Sequence, residues 1–402
     1  MFIRHLSLSN FRNYAQLEFD IPPRIAVLQG ENAQGKSNLL EAIYILATSR
    51  SNRTSTERDL INWSAFGETL PVCRLAADIQ RGDRNLRLEV ALMAKDTGPH
   101  RAADSFYPGP IDARIPSVQK RIRVNGSVRR AVDLVGQINV VTFSILDIDV
   151  IRGEPAVRRR HLDITISQID PHYLRQLQRY QRILWQRNRL LRQIAQRQAS
   201  PDELSFWDVE LVQSGTYLMV QREHTIAALN HHTEIVHDEL SGGLGKLRLS
   251  YCRSIDKEKA NGDSHTVETS EAFGKALQAK RHKELAQGMS LVGPHRDDLR
   301  FLINEVDMGI YGSRGQQRTA ALSLKLAEAK FMLSITEQHP ILLLDDVLSE
   351  LDSRRRSLLL RAAAAYEQVL LTTTDLDRFE PGFLAQAQLF KVVEGRIQPL
   401  ST

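Results

Sequence analysis

Apolar and polar residues alternate along the first part of the chain. The alternation through residues 2–21 predicts a β-hairpin, and an apolar stretch at 25–29 predicts a strand directly after it. Two more strands are predicted at 73–79 and 86–93, on either side of a Gly82-Asp83 turn. The pattern therefore favours a β-rich beginning of the fold.

The next strands are marked by a tight turn and by an apolar run. Asn125-Gly126 separates two short segments, 121–124 and 127–130, and this dipeptide is the strongest hairpin signal in the sequence. Residues 140–143 form a short, mainly apolar run that predicts a buried strand. Residues 95–118 are rich in proline, glycine, aspartate and alanine without clear periodicity, so we expect an exposed insertion there.

A helical period replaces the alternation in the middle of the chain. In residues 171–198 apolar side chains recur at steps of three and four, which predicts one long helix, and residues 201–228 repeat the pattern. We expect the two helices to pack antiparallel as an inserted arm. The first contains seven arginines and no acidic residue, which fits either a solvated helix face or contacts with DNA phosphates. The candidate DNA contacts are Arg182, Arg189 and Arg192.

The sequence after the arm is less regular. Residues 242–245 are expected to form a turn rather than a phosphate site, before a strand at 246–251. Residues 256–269 are polar and predict a mobile loop, and 270–287 predict a helix. The segment Leu291–Asp298 combines a Gly-Pro step with a histidine, an arginine and paired aspartates, for which a capped turn gives only a partial explanation. No metal-ligand spacing emerges from it, so no metal site is expected there.

Composition and charge narrow the class of protein. The 402 residues, 42% apolar and 25% charged, are ordinary for two or three globular domains. No apolar run approaches the ~20 residues of a membrane span, the first residues lack a signal-peptide core, and the two cysteines lie far apart, so we expect a cytoplasmic location. The net charge is +5, and 12 lysines leave 41 of the 53 basic residues as arginine. This favours a nucleic-acid partner, although a GC-rich genome produces the same bias.

The clearest chemical signature lies between the strand at 25–29 and an amphipathic helix. It has the form G-x-x-x-x-G-K-S, in which backbone N–H groups and the positive end of the helix surround phosphate oxygens. Lys36 is expected to reach the β- and γ-phosphates and Ser37 to offer its hydroxyl to Mg²⁺. A glycine-bearing turn without a ligand is the alternative, and it explains the matching flanks less well. The predicted nucleotide contacts in this loop are Gly30, Glu31, Asn32, Ala33, Gln34, Gly35, Lys36, Ser37 and Asn38.

Two further motifs follow late in the chain. The apolar strand 341–344 ends in Asp345 and Asp346, at the end of the strand where a P-loop fold holds Mg²⁺ and orients water. We expect Asp345 to hold the metal through water, opposite Ser37, and Asp346 to polarise the attacking water. Asp346 and Lys36 are therefore the catalytic candidates. Simple capping of the next helix is the alternative. Before a helix predicted at 319–336, an S-x-G-Q turn suits a bound anion through Ser313, Gly315 and Gln316.

The order of these motifs resembles the ABC-type ATPase heads of the SMC and Rad50 proteins, in which a long insertion separates the P-loop from S-x-G-Q, the acidic strand and S-x-L-D. Further segments resemble the RecF family of bacterial recombination mediators along nearly the whole chain, and Arg12 in the first of them joins the predicted nucleotide contacts. These segments are Leu8–Tyr14, Gly153–Pro155 with Arg158–Arg160, Tyr180 with Gln186–Asn188, Leu291–Asp298, and Gly315–Arg318 with Leu322–Glu328.

The resemblance implies an α/β fold, namely an ABC-type P-loop ATPase head with a mixed β-sheet and flanking helices, plus an inserted helical arm. The expected domains are an N-terminal lobe at 1–150, the arm at 151–289 and a C-terminal lobe at 290–402. The implied cofactors are ATP and Mg²⁺. The implied function is ATP-dependent DNA binding in recombinational repair and replication restart, by a homodimer in which the S-x-G-Q turn of one copy closes over ATP held by the other.

The resemblance also implies partners. We expect single-stranded, duplex or gapped DNA, together with RecR and RecO, and help in loading the RecA recombinase. ATP hydrolysis is expected to be a weak, DNA-stimulated switch, and no membrane partner is expected.

Three departures from the family pattern bear on catalysis. Ser144–Asp147 replaces the usual Pro-Glu-Asp pattern, so the glutamine that senses the γ-phosphate is unassigned. Thr372–Thr374 stands where ABC heads often carry a histidine, and Asp346 is one methylene shorter than the usual glutamate. A shorter reach places a base less well, which can cost ~100-fold in rate. These departures leave open a DNA-binding scaffold with a vestigial ATPase. A transporter subunit fits less well, because nothing suggests a membrane-coupling surface and the long arm is atypical of such subunits. A small-molecule kinase fits less well still, because it leaves the S-x-G-Q turn unexplained.

Overall fold

The described residues of the computed structural model are 1–67, 71–94, 118–255 and 265–400. They form two compact units, one of Met1–Ser144 with Gln338–Thr402 and one of Ile145–Glu337. The second unit runs further than the arm expected at 151–289, because the strand that starts at Asp298 and the helix that ends at Thr336 pack on arm elements.

The first unit is mixed α/β. Its first part contains β1 Phe2–Phe11, β2 Tyr14–Asp20, β3 Arg24–Gln29, α1 Lys36–Thr48, β4 Val72–Arg81, β5 Arg84–Ala94, β6 Val118–Val124, β7 Ser127–Arg129, α2 Ala131–Leu134 and β8 Val140–Ser144. The chain then builds the second unit with α3 Ile148–Arg152, α4 Pro155–Ile169, α5 Pro171–Ala195, α6 Leu204–Ser241, β9 Leu247–Cys252, α7 His265–Gln287, β10 Asp298–Ile303, β11 Val306–Asp307, α8 Met308–Tyr311 and α9 Arg314–Thr336. It returns to the first unit with β12 Ile341–Asp345, α10 Ser353–Ala364, β13 Gln368–Thr373, α11 Pro381–Leu384, β14 Ala387–Val393 and β15 Arg396–Pro399.

One sheet of the first unit is antiparallel, with the described strands in the order β2-β1-β4-β5-β6-β7. The predicted hairpins are confirmed: Leu6 lies opposite Phe19, and β6 turns into β7 through Asn125 and Gly126. Both turn residues have positive φ, 50° and 78°, as a type I′ turn requires. The alternating burial along β1 and β5 accounts for the alternating sequence pattern.

The other sheet places the candidate site. Its order is β15-β14-β3-β13-β12-β8, and the pairings from β14 to β8 are parallel. Residues 341–344 of β12 are fully buried, which explains their uninterrupted apolar sequence. Because β13 lies between β3 and β12, the carboxyl ends of these three strands meet at one edge, where ligands bind in open parallel sheets.

The second unit is a helical bundle joined to a small antiparallel sheet of β11, β10 and β9. Helices α5 and α6 run antiparallel as predicted, with Arg187 beside Asp208 at one end and Tyr173 beside Arg222 at the other. Close packing depends on Gly215 of α6, because a Cβ there would lie 2.6 Å from a ring carbon of Phe273. Helix α6 continues well past the predicted 201–228.

The Leu291–Asp298 segment has a structural explanation that the sequence did not provide. Asp297 is completely buried and accepts hydrogen bonds from the Tyr251 hydroxyl and the Ser254 backbone N–H, at 2.5 and 2.7 Å. Asp298 accepts two from Arg158 of α4, at 2.7 and 2.9 Å. The charged residues of this segment therefore join β9, β10 and α4.

The prediction of a loop at 256–269 is wrong for the last five of these residues, which belong to α7. Thr269 is buried and its hydroxyl accepts a hydrogen bond from Arg253, so a tertiary contact stabilises helix in a polar, β-branched stretch. Residues 256–264, and 95–117 of the predicted insertion, lie outside the described residues. Helix α9 begins at Arg314 rather than 319. No described helix has the length and apolar character needed to cross a membrane.

Candidate nucleotide-binding site

The predicted phosphate loop connects β3 to α1 in the first unit. Two of its positions have room only for glycine. A Cβ on Gly30 would lie 2.4 Å from the Val392 carbonyl oxygen, and one on Gly35 would lie 2.5 Å from the Asn13 amide nitrogen. Gly35 also has φ of 111°, which residues with a side chain rarely adopt. The glycines of the motif are thus required by the fold of this loop.

Neighbouring turns hold the loop in place. The Asn13 amide donates to the Gln34 carbonyl at 3.1 Å, and the Asn38 amide donates to the Asn13 side-chain oxygen at 2.8 Å. The hydroxyl of Tyr14 donates to the Gly35 carbonyl at 3.0 Å. The turn between β1 and β2 therefore supports the loop, while Glu31, Asn32 and Ala33 are exposed on its open side.

Lys36 lies at the centre of the loop, and only 7% of the residue is exposed. Its ammonium group donates to the carbonyl oxygens of Gly30 and Glu31, at 2.6 and 2.7 Å. Burial lowers the pKa of Lys36, while Asp346 and Asp345 oppose this by favouring the charged form. The two carbonyl contacts hold the positive charge of Lys36 inside the loop, where a phosphate group of a bound ligand can reach it.

The side chains of Ser37 and Asp345, the two predicted metal ligands, are in contact. The Ser37 hydroxyl donates to one Asp345 carboxylate oxygen at 2.7 Å, and the Thr372 hydroxyl donates to the same oxygen at 2.8 Å. A hydroxyl and a carboxylate are oxygen ligands of the type that Mg²⁺ prefers. The sequence placed Thr372–Thr374 at the position of the usual histidine but gave Thr372 no role. Its contact with Asp345 follows from the parallel register that sets β13 against β12.

Asp346 has an unusual backbone conformation, with φ of 49°. Its N–H donates to the Thr372 hydroxyl at 3.0 Å, and its carbonyl accepts from the Ser349 hydroxyl at 2.7 Å. Burial, followed by the charge of Asp345, raises the pKa of Asp346. The backbone N–H and carbonyl of Asp346 thus fix the position of the residue. A carboxylate with a raised pKa in a fixed position is suited to accept a proton from water.

Arg12, a predicted nucleotide contact, is bound by a buried carboxylate. Its Nε and Nη2 donate to the two Glu41 oxygens at 3.0 and 2.8 Å, and its Nη1 donates to the Asp59 carbonyl at 2.9 Å. The Glu41 side chain is completely buried, and Ser51 and Arg53 also contact it. Glu41 was not a sequence candidate, although a single acid within the apolar run of α1 was a usable signal.

Ser313, Gly315 and Gln316 belong to the second unit. Ser313 is the N-cap of α9: its hydroxyl accepts from the Gln316 N–H at 3.3 Å, and its own N–H donates to the Gln316 side chain at 2.9 Å. This capping box explains why α9 starts before residue 319. A Cβ on Gly315 would meet nothing within 4 Å, so the turn is open on that side.

The arginines of α5 differ in their surroundings. Arg187 is fully buried between Asp208 and Glu284, with distances of 2.8 and 2.6 Å, so it holds helices together. The three candidate DNA contacts, in contrast, are exposed, and none forms an ion pair with a described residue. They are Arg182, Arg189 and Arg192.

Together, the loop, the hydroxyl–carboxylate pair and Asp346 can hold a phosphorylated ligand, a divalent cation and a water molecule at one sheet edge. A model of an AAA ATPase domain matches residues 1–83, which include the phosphate loop. DNA replication and repair protein RecF of Chloroflexus aurantiacus is 43% identical over 404 residues, covering 99% of each chain. The protein of the same name from Halalkalibacterium halodurans is 38% identical over 400 residues, again covering 99% of each.

Solved structures agree with these relatives. The recombination mediator protein RecF with ATP, of the RecFOR pathway, has a TM-score of 0.83 and 29% identity, covering 100% of this chain and 98% of that one. The Smc head domain of Pyrococcus furiosus has a TM-score of 0.51 and 15% identity, covering 100% and 96%, and shares the fold. The predicted fold class is therefore confirmed, and the chain belongs to the RecF family.

Proposed function

We propose that the chain is an ATP-dependent DNA-binding protein of recombinational repair and replication restart. The names of the relatives support a role in DNA repair, and the RecF structure with ATP supports ATP as the nucleotide. The observation that carries the proposal is the contact of Ser37, Asp345 and Thr372 beside Lys36. These groups have the chemistry that a nucleoside triphosphate and its metal need.

Nucleotide binding is assigned to the loop from Gly30 to Asn38. Backbone N–H groups and Lys36 bind the phosphates. Arg12 is held next to the loop by its hydrogen bond to Glu41 of α1. Ser37 and Asp345 would hold Mg²⁺, which supplies positive charge that phosphate oxygens require. Thr372 keeps the carboxylate of Asp345 directed at Ser37.

Hydrolysis is assigned to Asp346 as the acceptor of the water proton. Its raised pKa favours proton transfer, but its short side chain reduces its reach, so turnover is slow. We infer a weak, DNA-stimulated ATPase that works as a switch. ATP holds the protein on DNA, and hydrolysis releases it.

The open S-x-G-Q turn at the start of α9 supports dimerisation around ATP. Its N–H groups and the helix dipole favour an anion, and the exposed Gly315 leaves room for one to approach. We infer that this turn in one copy closes over ATP held by the other. ATP then makes its full set of contacts only in the dimer, so ATP binding stabilises the dimer by mass action.

The exposed arginines of α5 support DNA as the partner of the dimer. The helix that carries Arg182, Arg189 and Arg192 has no acidic residue, so no carboxylate of the helix itself repels a phosphate. Gapped or duplex DNA, RecR and RecO as partners, and help in loading RecA follow from family membership as proposals, as does a location in the cytoplasm at the nucleoid.

A measurement of DNA affinity with and without ATP tests the proposal. Affinities for gapped, duplex and single-stranded DNA are measured over a salt series, since the salt slope counts phosphate contacts. We expect ATP with Mg²⁺ to tighten binding, and Lys36→Arg to abolish this effect. DNA binding that is the same with and without ATP would contradict the proposal.

The second candidate is a DNA-binding scaffold whose ATPase is vestigial. The short side chain of Asp346 favours it, because Asp346 reaches less far than a glutamate. Lys36→Arg separates the two functions. A scaffold keeps its repair function in cells that carry this variant, whereas an ATP-controlled protein loses it.

A further inference from the structure

The exposed face of α5 carries a tryptophan among the arginines. Arg182, Trp185, Arg189 and Arg192 follow one another at steps of three, four and three residues, which places them along one side of the helix over about 15 Å. All four are exposed, and 56% of Trp185 is accessible to solvent. This side of α5 therefore presents one large aromatic ring among three cationic side chains.

The indole ring is held in position from one side. The Arg189 guanidinium lies 5.8 Å from the centre of the Trp185 ring, within the range of a cation–π contact. Trp185 is not part of the buried clusters formed by its neighbours Ile183, Leu190 and Leu191. The ring is thus oriented by an arginine and still open to a further flat partner.

Two carboxylates of α6 beside α5 are already paired with arginines. Asp208 of α6 forms ion pairs with Arg187, at 2.8 Å, and with Arg281. Glu210 of α6 forms an ion pair with Arg179 at 2.6 Å. Helix α5 itself has no acidic residue. A polyanion can therefore approach this face without meeting an unpaired carboxylate among these residues.

We propose that this face of α5 binds single-stranded DNA, with an unpaired base stacked on Trp185 and the backbone phosphates on Arg182, Arg189 and Arg192. The proposal rests on the proposed function, because it specifies which form of DNA the arginines contact. Bases in a duplex present only their edges to a protein, whereas a base in a single strand can present its ring face. Arginines bind the phosphates of single-stranded and duplex DNA alike. Trp185 is therefore the residue that favours the single-stranded form.

The test uses the full-length chain with ATP and Mg²⁺ and compares Trp185→Ala with Trp63→Ala. Trp63 is a matched control, because it is 82% exposed and lies in the other unit. The probes are oligo(dT), a duplex of equal length, and an abasic strand that keeps the phosphates but has no bases. Salt series give the number of phosphate contacts for each.

We expect Trp185→Ala to weaken oligo(dT) binding by about 5- to 100-fold, with an unchanged salt slope and unchanged affinity for duplex and abasic strand. Trp185→Phe, which keeps an aromatic ring, is expected to lose less. Reversing the charge of Arg182, Arg189 and Arg192 together should lower the salt slope for every probe. Trp63→Ala is expected to have no effect.

An equal loss on all three probes, or no loss with Trp185→Ala, would overturn the stacking proposal. Failure of the proposed function looks different, because ATP then has no influence on DNA affinity in the unchanged protein. If the unchanged protein binds no DNA at all, both proposals fail. ATP-dependent dimerisation of Trp185→Ala should equal that of the unchanged protein, which separates a local effect from misfolding.

Discussion

Replacing Glu41 by glutamine tests whether Arg12 depends on a buried carboxylate. The Glu41 side chain is completely buried and the Arg12 side chain is 21% exposed, so water screens their pairing only weakly. Two hydrogen bonds of 3.0 and 2.8 Å connect them, and the Ser51 hydroxyl donates to the same carboxylate. Glutamine keeps the shape of the side chain but removes its charge and one acceptor oxygen.

The magnitude follows from these contacts. A hydrogen bond to a charged group contributes about 1.5–3 kcal/mol, and glutamine can keep one of the two bonds to Arg12. We therefore expect Glu41→Gln to lower the free energy of unfolding by about 2 kcal/mol. For a unit of this size, that corresponds to a decrease in Tm of roughly 4–8 °C.

Thermal unfolding of the full chain measures this effect, with Glu18→Gln as the control. Glu18 is in the same unit and also accepts hydrogen bonds, but its side chain is 55% exposed, so we expect almost no change. A double-mutant cycle with Arg12→Gln then isolates the coupling of the pair. Equal melting of Glu41→Gln and Glu18→Gln would refute the reasoning.

The remaining predictions concern the sheet edge, the phosphate loop and a buried histidine. Thr372→Val removes a hydrogen bond to Asp345 and should weaken Mg²⁺-dependent nucleotide binding, measured by calorimetry, and cost about 1–3 kcal/mol of stability. Gly30→Ala puts a Cβ 2.4 Å from the Val392 carbonyl oxygen and should abolish nucleotide binding. Burial lowers the pKa of His295 from 6.5 to about 4, so stability that is complete above pH 6.5 should fall as the pH decreases towards 4, by up to roughly 1.4 kcal/mol per unit. His295→Gln should reduce this slope.

Each of these changes has a control or a contradicting result. Thr56→Val alters an exposed threonine and should leave nucleotide binding unchanged. Gly382→Ala adds a Cβ that meets nothing within 4 Å, and it should be tolerated. His161 also has a pKa lowered to about 4 by burial, so part of the acid slope should persist in His295→Gln. An unchanged slope in that variant would show that His295 is not neutral in the folded protein.

Local patterns predicted much of the fold. The hairpins, the parallel strands at 25–29 and 341–344, and the antiparallel pair of long helices depend on periodicity or turn chemistry that a short window contains. The phosphate loop was predictable for the same reason, because all its parts are contiguous. The prediction that Asp345 lies beside this loop needed only the rule that the carboxyl ends of parallel strands meet at the same edge of a sheet.

What the sequence could not provide depends on distant pairing. Thr372 acts at the site only because β13 sets it opposite Asp345, and that register involves residues far apart in the chain. Arg187 was counted with the other arginines of α5, although it is buried against Glu284. The end of the second unit was placed too early, because β10 pairs with β9 across α7. Tertiary contacts decided each of these points.

The most direct test of the central claim is the molar mass of the chain in solution, measured by light scattering with ATP, Mg²⁺ and gapped DNA. Asp346→Asn serves as the trapping variant, because it removes the group assigned to the water proton but keeps the loop and Asp345. We expect monomers with ADP, dimers on DNA with ATP, and a longer-lived dimer for Asp346→Asn. Monomers under every condition would contradict the account.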